Sequence, residues 1–263
     1  MHRTLVITGG SSGMGAATVQ RLLANDCVVY NLDIAEPATS ACEYIPCDLS
    51  DPVSIGNAIA LVPAGLHGVI NAAGVAPGGP SAMAVVAINF LGMRHLTERL
   101  LPKIIDGGSI VNVASSAGRD WLTRKDLVWA LLDTADFAAG VEWLDTHSGD
   151  WTPDPYRFSK QCAAAWTYRA VGLGRTRQVR VNCVNPGIVE TRLSAQFRQL
   201  LGPNRYDWIL QQSGRAGTPE DIAAVIEYLA IGDCRWLNGV ELTVDGGYYA
   251  GIVGGWINPA DMP

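Results

Sequence analysis

Several signatures of large protein classes are missing from this sequence, and each absence excludes a kind of function. The Lys and Arg residues are scattered, and a net charge of −6 with a pI near 5.2 argues against a nucleic-acid partner, which needs a clustered basic surface. No apolar run approaches the length of a membrane span, and residues 1–10 contain no charged leader or cleavage site. We therefore expect a cytoplasmic protein that binds neither nucleic acid nor membrane.

Metal and redox motifs are also missing. The six cysteines are dispersed without a Cys-x-x-Cys pair, and the four histidines have no ligand spacing. Cys42 and Cys47 lie near one another, but no second pair of ligands accompanies them. We expect reduced, mostly buried thiols and no metal site.

The sequence does contain a regular alternation of apolar and helical segments. Its 263 residues, 48% hydrophobic and 17% charged, suit one globular domain with a large core. Runs rich in Val and Ile alternate with segments of helical periodicity, which is typical of a parallel sheet covered by helices on both faces. Strands are predicted near residues 3–8, 27–32, 44–47, 67–71, 109–114, 179–184 and 240–245. Helices are predicted near residues 14–25, 52–61, 81–104, 156–173 and 219–231.

A glycine-rich segment, Thr8 to Gly15, lies between the first predicted strand and the first predicted helix. Glycines permit a tight turn and close approach of a ligand, and the free N–H groups of a helix N-terminus suit a pyrophosphate. Asp33 ends the second strand 18 residues after Gly15, near the position at which a carboxylate binds the adenosine ribose. These features predict a dinucleotide-binding Rossmann fold: an α/β single domain over residues 1–263 with a doubly wound, seven-stranded parallel sheet. The cofactor contacts expected in this half of the fold are Gly9, Ser11, Ser12, Gly13, Met14, Gly15, Asp33 and Ile34.

The same segments predict which dinucleotide binds. Asp33 is followed by Ile34, and the loop from Gly9 to Gly15 contains no Lys or Arg. A carboxylate would repel a 2′-phosphate, and no nearby cation would offset that repulsion. NAD(H) is therefore the expected cofactor.

Further motifs follow in order along the chain and resemble those of the classical short-chain dehydrogenases/reductases. The Thr-Gly-x-x-x-Gly-x-Gly pattern from Thr8 resembles the cofactor loop of that family, and Tyr156-x-x-x-Lys160 resembles its catalytic motif. Ser115 comes three residues after Asn112 at the end of a strand-like run, as the family's catalytic Ser does. The resemblance implies a catalytic Asn89, and cofactor contacts by Tyr156 and Lys160 and by Asp48, Leu49, Asn71, Ala72, Ala73, Gly74, Pro186, Gly187, Ile188 and Thr191.

These residue types suit hydride transfer between an alcohol and a nicotinamide. Tyr156 and Lys160 are four positions apart, so on a helix their side chains share one face at about 5–6 Å. An adjacent ammonium and an oxidised nicotinamide favour the phenolate of Tyr156, which accepts the hydroxyl proton while hydride leaves carbon. Ser115 is expected to hydrogen-bond the reacting oxygen. The resemblance implies that Lys160 binds the nicotinamide ribose and that Asn89 fixes a water that relays protons to Lys160.

The connection between the catalytic Ser and Tyr is longer than in the commoner family members, because Tyr156 lies 41 positions after Ser115. The extra residues, at about 119–155, show helical spacing and contain four of the eight tryptophans, so we expect a helical insertion. A long insertion here resembles the bacterial 3α-hydroxysteroid dehydrogenase/carbonyl reductase subgroup. Core or subunit packing explains the tryptophans as well as substrate contact does.

The position of the catalytic Ser has one alternative. Ala114 stands where many family members have another Ser, and Ser116 follows Ser115, so the register permits Ser116 as the catalytic residue. Counting from Asn112 favours Ser115.

Residues 191–214 carry apolar side chains that suit a mobile lid over the substrate, and Gly202-Pro203 is expected to divide the lid in two. With few charges expected over the site, the substrate is predicted to be a mostly hydrophobic secondary alcohol or ketone. The competing hypothesis is a non-catalytic dinucleotide-binding redox sensor, which would be expected to lack the Tyr, Lys or Ser.

Two apolar segments predict self-association. Residues 219–231 carry an apolar stripe, and the tail at 248–263 is too apolar for a solvated terminus. We expect a homodimer in preference to a homotetramer, held by these segments. The insertion lies next to the other interface of the family, which it either blocks or rebuilds, and we expect it to turn toward the substrate cleft.

Overall fold

Seven parallel strands form one sheet in the computed structural model, which describes residues 2–38, 41–76, 78 and 81–263. The order across the sheet is β3-β2-β1-β4-β5-β6-β7, and every neighbouring pair is parallel. The strands are β1 (Thr4–Thr8), β2 (Val28–Asp33), β3 (Glu43–Pro46), β4 (Leu66–Asn71), β5 (Ile104–Val113), β6 (Arg180–Pro186) and β7 (Glu241–Val244). The predicted doubly wound α/β fold is confirmed.

Twelve α-helices connect and cover the strands in the described part of the chain. They are α1 (Gly13–Ala24), α2 (Pro52–Leu61), α3 (Ala82–Val86), α4 (Met93–Leu100), α5 (Lys125–Leu132), α6 (Phe137–Thr146), α7 (Ser148–Trp151), α8 (Pro155–Gly174), α9 (Ser194–Leu201), α10 (Pro203–Ser213), α11 (Pro219–Ile231) and α12 (Tyr248–Gly254).

The apolar strands bury side chains on both faces of the sheet. In β1, Leu5 and Ile7 pack with α1 and α11, whereas Val6 between them packs with α2, α4 and α8. Successive side chains of a strand point to opposite faces, so a continuous apolar run serves two cores at once. The order of the sheet reverses direction between β1 and β4, and ligands of such sheets bind at the carboxyl ends of the strands beside that point.

The predicted helix at residues 81–104 is not a single α-helix. Its middle is a π-helical turn, Ala87–Gly92, which carries Asn89, and a 3-10 turn, Leu101–Lys103, follows α4. Strand β5 begins at Ile104, earlier than predicted, because Ile104 pairs with Leu66 before the register shifts at Gly68. A π-turn inside a helix often marks a functional position.

The insertion is helical, and its two ends, residues 119–120 and 153–155, line the cleft that contains Ser115. Its helices do not turn toward that cleft as we expected. Helices α5, α6 and α7 pack on α8 and on the π-turn, and their buried side chains join the core beneath Phe158 and Trp166. Two of the four insertion tryptophans, Trp121 and Trp151, are buried there. The insertion therefore covers one face of α8.

The segment predicted as a lid contains two helices, α9 and α10, which are separated at Gly202 as predicted. Gly202 has a φ of 79°, which is the left-handed region that favours glycine, and Pro203 begins the second helix. The last helix, α12, follows β7 and lies beside α10. All six cysteines are buried free thiols. No helix in the described residues is long and apolar enough to span a bilayer.

Candidate active site

The loop between β1 and α1 is held by polar side chains at the end of β2. Asn31 Oδ1 accepts a hydrogen bond from Gly10 N at 2.9 Å, and Asn31 Nδ2 donates to Ser11 Oγ at 2.9 Å. Asp33 Oδ2 accepts from Ser11 N at 3.0 Å, and Oδ1 accepts from Ala35 N at 3.1 Å. Asp33 therefore lies beside the glycine loop, and each of its oxygens keeps a lone pair for a further donor.

The start of α1 fits the pyrophosphate of a dinucleotide. A Cβ at Gly15 would lie 2.0 Å from Gly9 O, so a side chain there would push the helix away from β1. The first N–H groups of the helix have no acceptor within it, Ser12 makes no side-chain capping bond, and the first turn has no acidic residue. These free donors, on the segment that carries Ser11, Ser12, Gly13 and Met14, suit a bound anion.

The other residues predicted to bind the cofactor fall into three groups. Ala72, Gly74, Pro186, Gly187, Ile188 and Thr191 line one cleft of about 660 Å³, together with Met14. Asn71 is buried and donates to Thr97 Oγ1 and Asn112 Oδ1, and Ala73 N donates to Thr8 Oγ1, so these two groups brace the strand ends. Asp48 closes a turn by accepting from Ser50, Leu49 is buried, and Ile34 is 75% exposed.

Ser115 is placed by a close contact between its turn and α8. It follows β5, and its Oγ accepts from Ala117 N at 3.2 Å at the start of the 3-10 turn Ser116–Gly118. A Cβ at Gly118 would lie 2.4 Å from the carbonyl group of Lys160, so the turn meets α8 backbone to backbone. This approach brings Ser115 into a hydrogen bond with the phenol of Tyr156, which favours Ser115 over Ser116.

Tyr156 stands in the first turn of α8, which Asp154 caps by accepting from Arg157 N at 3.0 Å. Its ring packs edge-on against Phe197 of the lid, with ring centroids 5.0 Å apart. Burial raises the pKa of Tyr156 to about 12, the hydrogen bond from Ser115 opposes this, and Asp154 adds to it. The phenol is therefore neutral at pH 7 in the protein alone, and further positive charge is needed to form the phenolate.

Lys160 lies one turn along α8, on the same face. Its Nζ is 5.9 Å from the centroid of the Tyr156 ring and donates to Val113 O at 3.0 Å. Burial lowers the pKa of Lys160 to about 8. The ammonium is thus held between the end of β5 and the phenol, at the inner wall of the cleft.

Asn89 projects from the π-turn into the same region. Its Nδ2 donates to Val75 O at 3.0 Å and to Ser159 Oγ at 3.1 Å, and its Oδ1 accepts from Val75 N at 2.8 Å. A Cβ at Gly74 would lie 3.2 Å from Asn89 Oδ1 and 3.5 Å from Lys160 Nζ, so Gly74 separates the two side chains. The side chain of Asn89 holds the segment after β4 against α8, and its water relay stays a prediction.

Charged residues at the mouth of the cleft were missed by the sequence analysis, which expected few charges there. Arg119, Asp120, Arg157, Arg205 and Asp245 all line the cleft. They come from separate segments, so no local pattern indicates that they converge. Only the position of Arg119, four residues after Ser115, could have suggested that it reaches the site.

Comparisons with known proteins find relatives along nearly the whole chain. Residues 3–124 match the short chain dehydrogenase family model, and residues 150–249 match the model described as Enoyl-(Acyl carrier protein) reductase. Coniferyl-alcohol dehydrogenase of Pseudomonas sp. strain HR199 is 34% identical over 248 residues, covering 94% of this chain and 96% of that protein. The 3-alpha-hydroxysteroid dehydrogenase/carbonyl reductase of Comamonas testosteroni is 26% identical over 254 residues, with 92% and 95% covered.

A solved structure shows the same likeness in three dimensions. The 3-alpha-hydroxysteroid dehydrogenase of Pseudomonas sp. B-0831, complexed with NADH, superposes with a TM-score of 0.78 at 26% identity, covering 97% of this chain and 99% of that one. This chain belongs to the short-chain dehydrogenase/reductase family of oxidoreductases.

Proposed function

We propose that this protein is an NAD(H)-dependent dehydrogenase that interconverts a mostly hydrophobic secondary alcohol and its ketone. The observation that carries the proposal is the convergence of Ser115, Tyr156 and Lys160 at one wall of the cleft. A redox sensor would need the dinucleotide site alone, and nothing in that role requires a half-buried Tyr beside a Ser and a Lys.

Bound NAD+ would accept the hydride from the carbinol carbon. Tyr156 Oη takes the hydroxyl proton as the carbonyl forms, and returns a proton to the oxygen in the reverse direction. Ser115 Oγ, already hydrogen-bonded to Tyr156, orients the reacting oxygen and stabilises its partial negative charge. Lys160 supplies positive charge that favours the phenolate and binds the ribose next to the nicotinamide.

The preference for NAD(H) rests on the charges around the adenosine end. Asp33 is anchored to the glycine loop, and the residues that follow it, Ile34 to Glu36, add a carboxylate and no cation. A 2′-phosphate at this position would meet negative charge on both sides. The NADH complex of the related hydroxysteroid dehydrogenase supports the same choice.

The hydrophobic character of the substrate rests on the lid. Leu193, Phe197, Leu200, Leu201 and Ile209 line the cleft that contains Ser115, so the lid gives this cleft an apolar surface. Trp208 does not line the cleft; it packs edge-on against Tyr248 instead. The relatives, a coniferyl-alcohol dehydrogenase and two hydroxysteroid dehydrogenases, support aromatic and steroid alcohols as candidates.

A screen of NAD+ reduction tests this function directly. Secondary aromatic, alicyclic and steroid alcohols, with a primary aromatic alcohol for comparison, are each incubated with enzyme and NAD+ while NADH absorbance is followed. Tyr156→Phe serves as the matched inactive variant. The proposal predicts turnover of at least one secondary alcohol by the wild type only, and tight NADH binding without turnover of any alcohol would favour the redox sensor.

A further inference from the structure

Two arginines at the mouth of the substrate cleft lack an ion pair within the described residues. Arg119 and Arg205 both line the cleft that contains Ser115 and Tyr156, and neither guanidinium lies within 4.0 Å of a carboxylate. They are 86 positions apart in the sequence, on the turn after β5 and on lid helix α10. The fold therefore brings two unpaired cations to one place in a protein whose net charge is −6.

Arg119 is held in position from the protein side. It is half-buried and follows directly after the 3-10 turn that Ser115 begins, and its Cζ lies 3.8 Å from the centroid of the Tyr249 ring. A cation stacked on an aromatic face keeps its N–H donors free at its edge. Arg119, which lines the cleft four residues after Ser115, thus keeps a planar set of donors for a ligand there.

Arg205 and Tyr248 line the same cleft as Arg119. Burial raises the pKa of the Tyr248 phenol, the positive charges of Arg119 and Arg205 oppose that rise, and the carboxylate of Asp245 adds to it. The Tyr248 ring is fixed edge-on to Trp208, with centroids 6.1 Å apart. The phenol and the two guanidiniums form one group of donors, which we call the Arg119–Tyr248–Arg205 cluster.

The carboxylates that share the cleft leave a net positive charge at the cluster. Asp120 pairs with Arg157 and accepts from Gln161 Nε2 at 2.9 Å. Asp154 caps α8. Asp245 accepts from Gly247 N at 3.0 Å and Tyr249 N at 2.9 Å, and its charge acts on the Tyr248 phenol. Two guanidinium charges against this one carboxylate leave the Arg119–Tyr248–Arg205 cluster net positive toward a ligand.

We propose that the Arg119–Tyr248–Arg205 cluster binds a carboxylate at the end of the substrate remote from the reacting carbinol. The substrate class is then a hydroxy acid or keto acid with an apolar middle, which lies under the lid between the carboxylate and Ser115. This inference rests on the proposed function, because the cluster and the catalytic residues are assigned to one substrate. A guanidinium binds a carboxylate through two parallel hydrogen bonds, and Arg119 is placed to give that geometry.

The test uses matched pairs of alcohols. One pair is a secondary benzylic alcohol bearing a para carboxylate and its methyl ester; a second pair is one aromatic ring longer. Wild type, Arg119→Gln, Arg205→Gln and Arg235→Gln are compared in kcat/KM with NAD+. Arg235 is the charge-loss control, because its side chain is 93% exposed in a loop outside the cleft.

The proposal predicts that the wild type prefers an acid to its ester in at least one pair. Arg119→Gln should lower kcat/KM for that acid about 10- to 100-fold, mainly through KM, and change the ester less than about threefold. Arg205→Gln should act in the same direction, and Arg235→Gln should leave the preference intact. Equal use of acid and ester by the wild type, or an equal loss on both in Arg119→Gln, would overturn the proposal.

A binding measurement separates this inference from the proposed function. If no alcohol of either pair is oxidised, calorimetric titration of both acids into the NADH-bound wild type and Arg119→Gln is decisive for the cluster. Acid binding that weakens about tenfold or more in Arg119→Gln would support the cluster even though the proposed function had failed. Absence of acid binding to the wild type would refute the cluster.

Discussion

Replacing Asp33 by Asn tests the cofactor assignment with little change in shape. In the wild type, Ser11 N donates to Asp33 Oδ2 at 3.0 Å. Asn keeps an oxygen that can accept this hydrogen bond, so the glycine loop retains its support. The substitution removes the charge that would face the adenosine ribose. Asp26→Asn is the matched control, because Asp26 is exposed at the opposite end of β2 and its φ of 55° suits Asn.

The magnitude follows from two terms. A carboxylate and a 2′-phosphate about 5 Å apart repel by about 1–2 kcal/mol in surroundings near those of water, as for the half-exposed Asp33. In Asp33→Asn, weaker hydrogen bonds to the ribose hydroxyls reduce the binding free energy of NAD+ by about 0.5–1.5 kcal/mol. The ratio of kcat/KM with NADP+ to that with NAD+ should therefore rise about 10- to 300-fold in Asp33→Asn.

Steady-state kinetics with both cofactors, at one saturating alcohol concentration, measure this ratio. Wild type should prefer NAD+, Asp26→Asn should keep the wild-type ratio, and Asp33→Asn should lose most of the preference. A wild type that prefers NADP+, or an unchanged ratio in Asp33→Asn, would contradict the placement of the adenosine ribose at Asp33.

Three further predictions concern the catalytic wall, the charge state of the lysine and the assembly. Gly118→Ala should lower kcat about 100-fold, because the added Cβ would displace the turn that carries Ser115, while circular dichroism should show that the fold is retained. Gly149→Ala is the control and should leave kcat unchanged, because a Cβ at Gly149 meets open space. For the cofactor-free protein, the unfolded chain binds more protons than the folded chain between pH 8 and 10.5, since burial lowers the pKa of Lys160 to about 8 from 10.5. The Tm of the wild type relative to Lys160→Met should therefore rise with pH across that window, and a falling difference would disprove the buried, depressed lysine. Light scattering should show a dimer, and Trp256→Glu, at a side chain 64% exposed on the apolar tail, should shift it toward monomer; a stable wild-type monomer would refute the assembly.

The fold could be predicted because its signals are local. A strand, a tight turn and a helix are predicted within a few residues by the apolar run from Leu5 to Ile7 and the glycine loop that follows it. The same holds for Tyr156 and Lys160, whose spacing on one helix places them together without knowledge of the rest of the chain. Their partner Ser115 was found by counting along a strand.

Features that depend on contacts between distant elements could not be predicted from the sequence. The π-turn at Asn89 accompanies hydrogen bonds to Val75 and Ser159, which lie on two other segments. The apolar face of the insertion indicated helices, but periodicity does not say which surface a helix covers, so its packing on α8 was missed. Arg119 and Arg205 converge only after the sheet is assembled.

The central claim is that Tyr156 transfers the proton of an alcohol oxidised by NAD+, and Tyr156→Phe tests it most directly. Phe retains the ring that packs on Phe197, so cofactor binding should survive. It removes the hydroxyl that is hydrogen-bonded to Ser115. Tyr168→Phe, the same change further along α8, is the control and should keep kcat within about twofold. General acid–base catalysis contributes about 10²- to 10⁴-fold to a rate. With the best alcohol from the screen, the account predicts a loss of at least about 10²-fold in kcat for Tyr156→Phe, with the Kd for NADH nearly unchanged. Turnover near the wild-type rate in that variant would contradict the account.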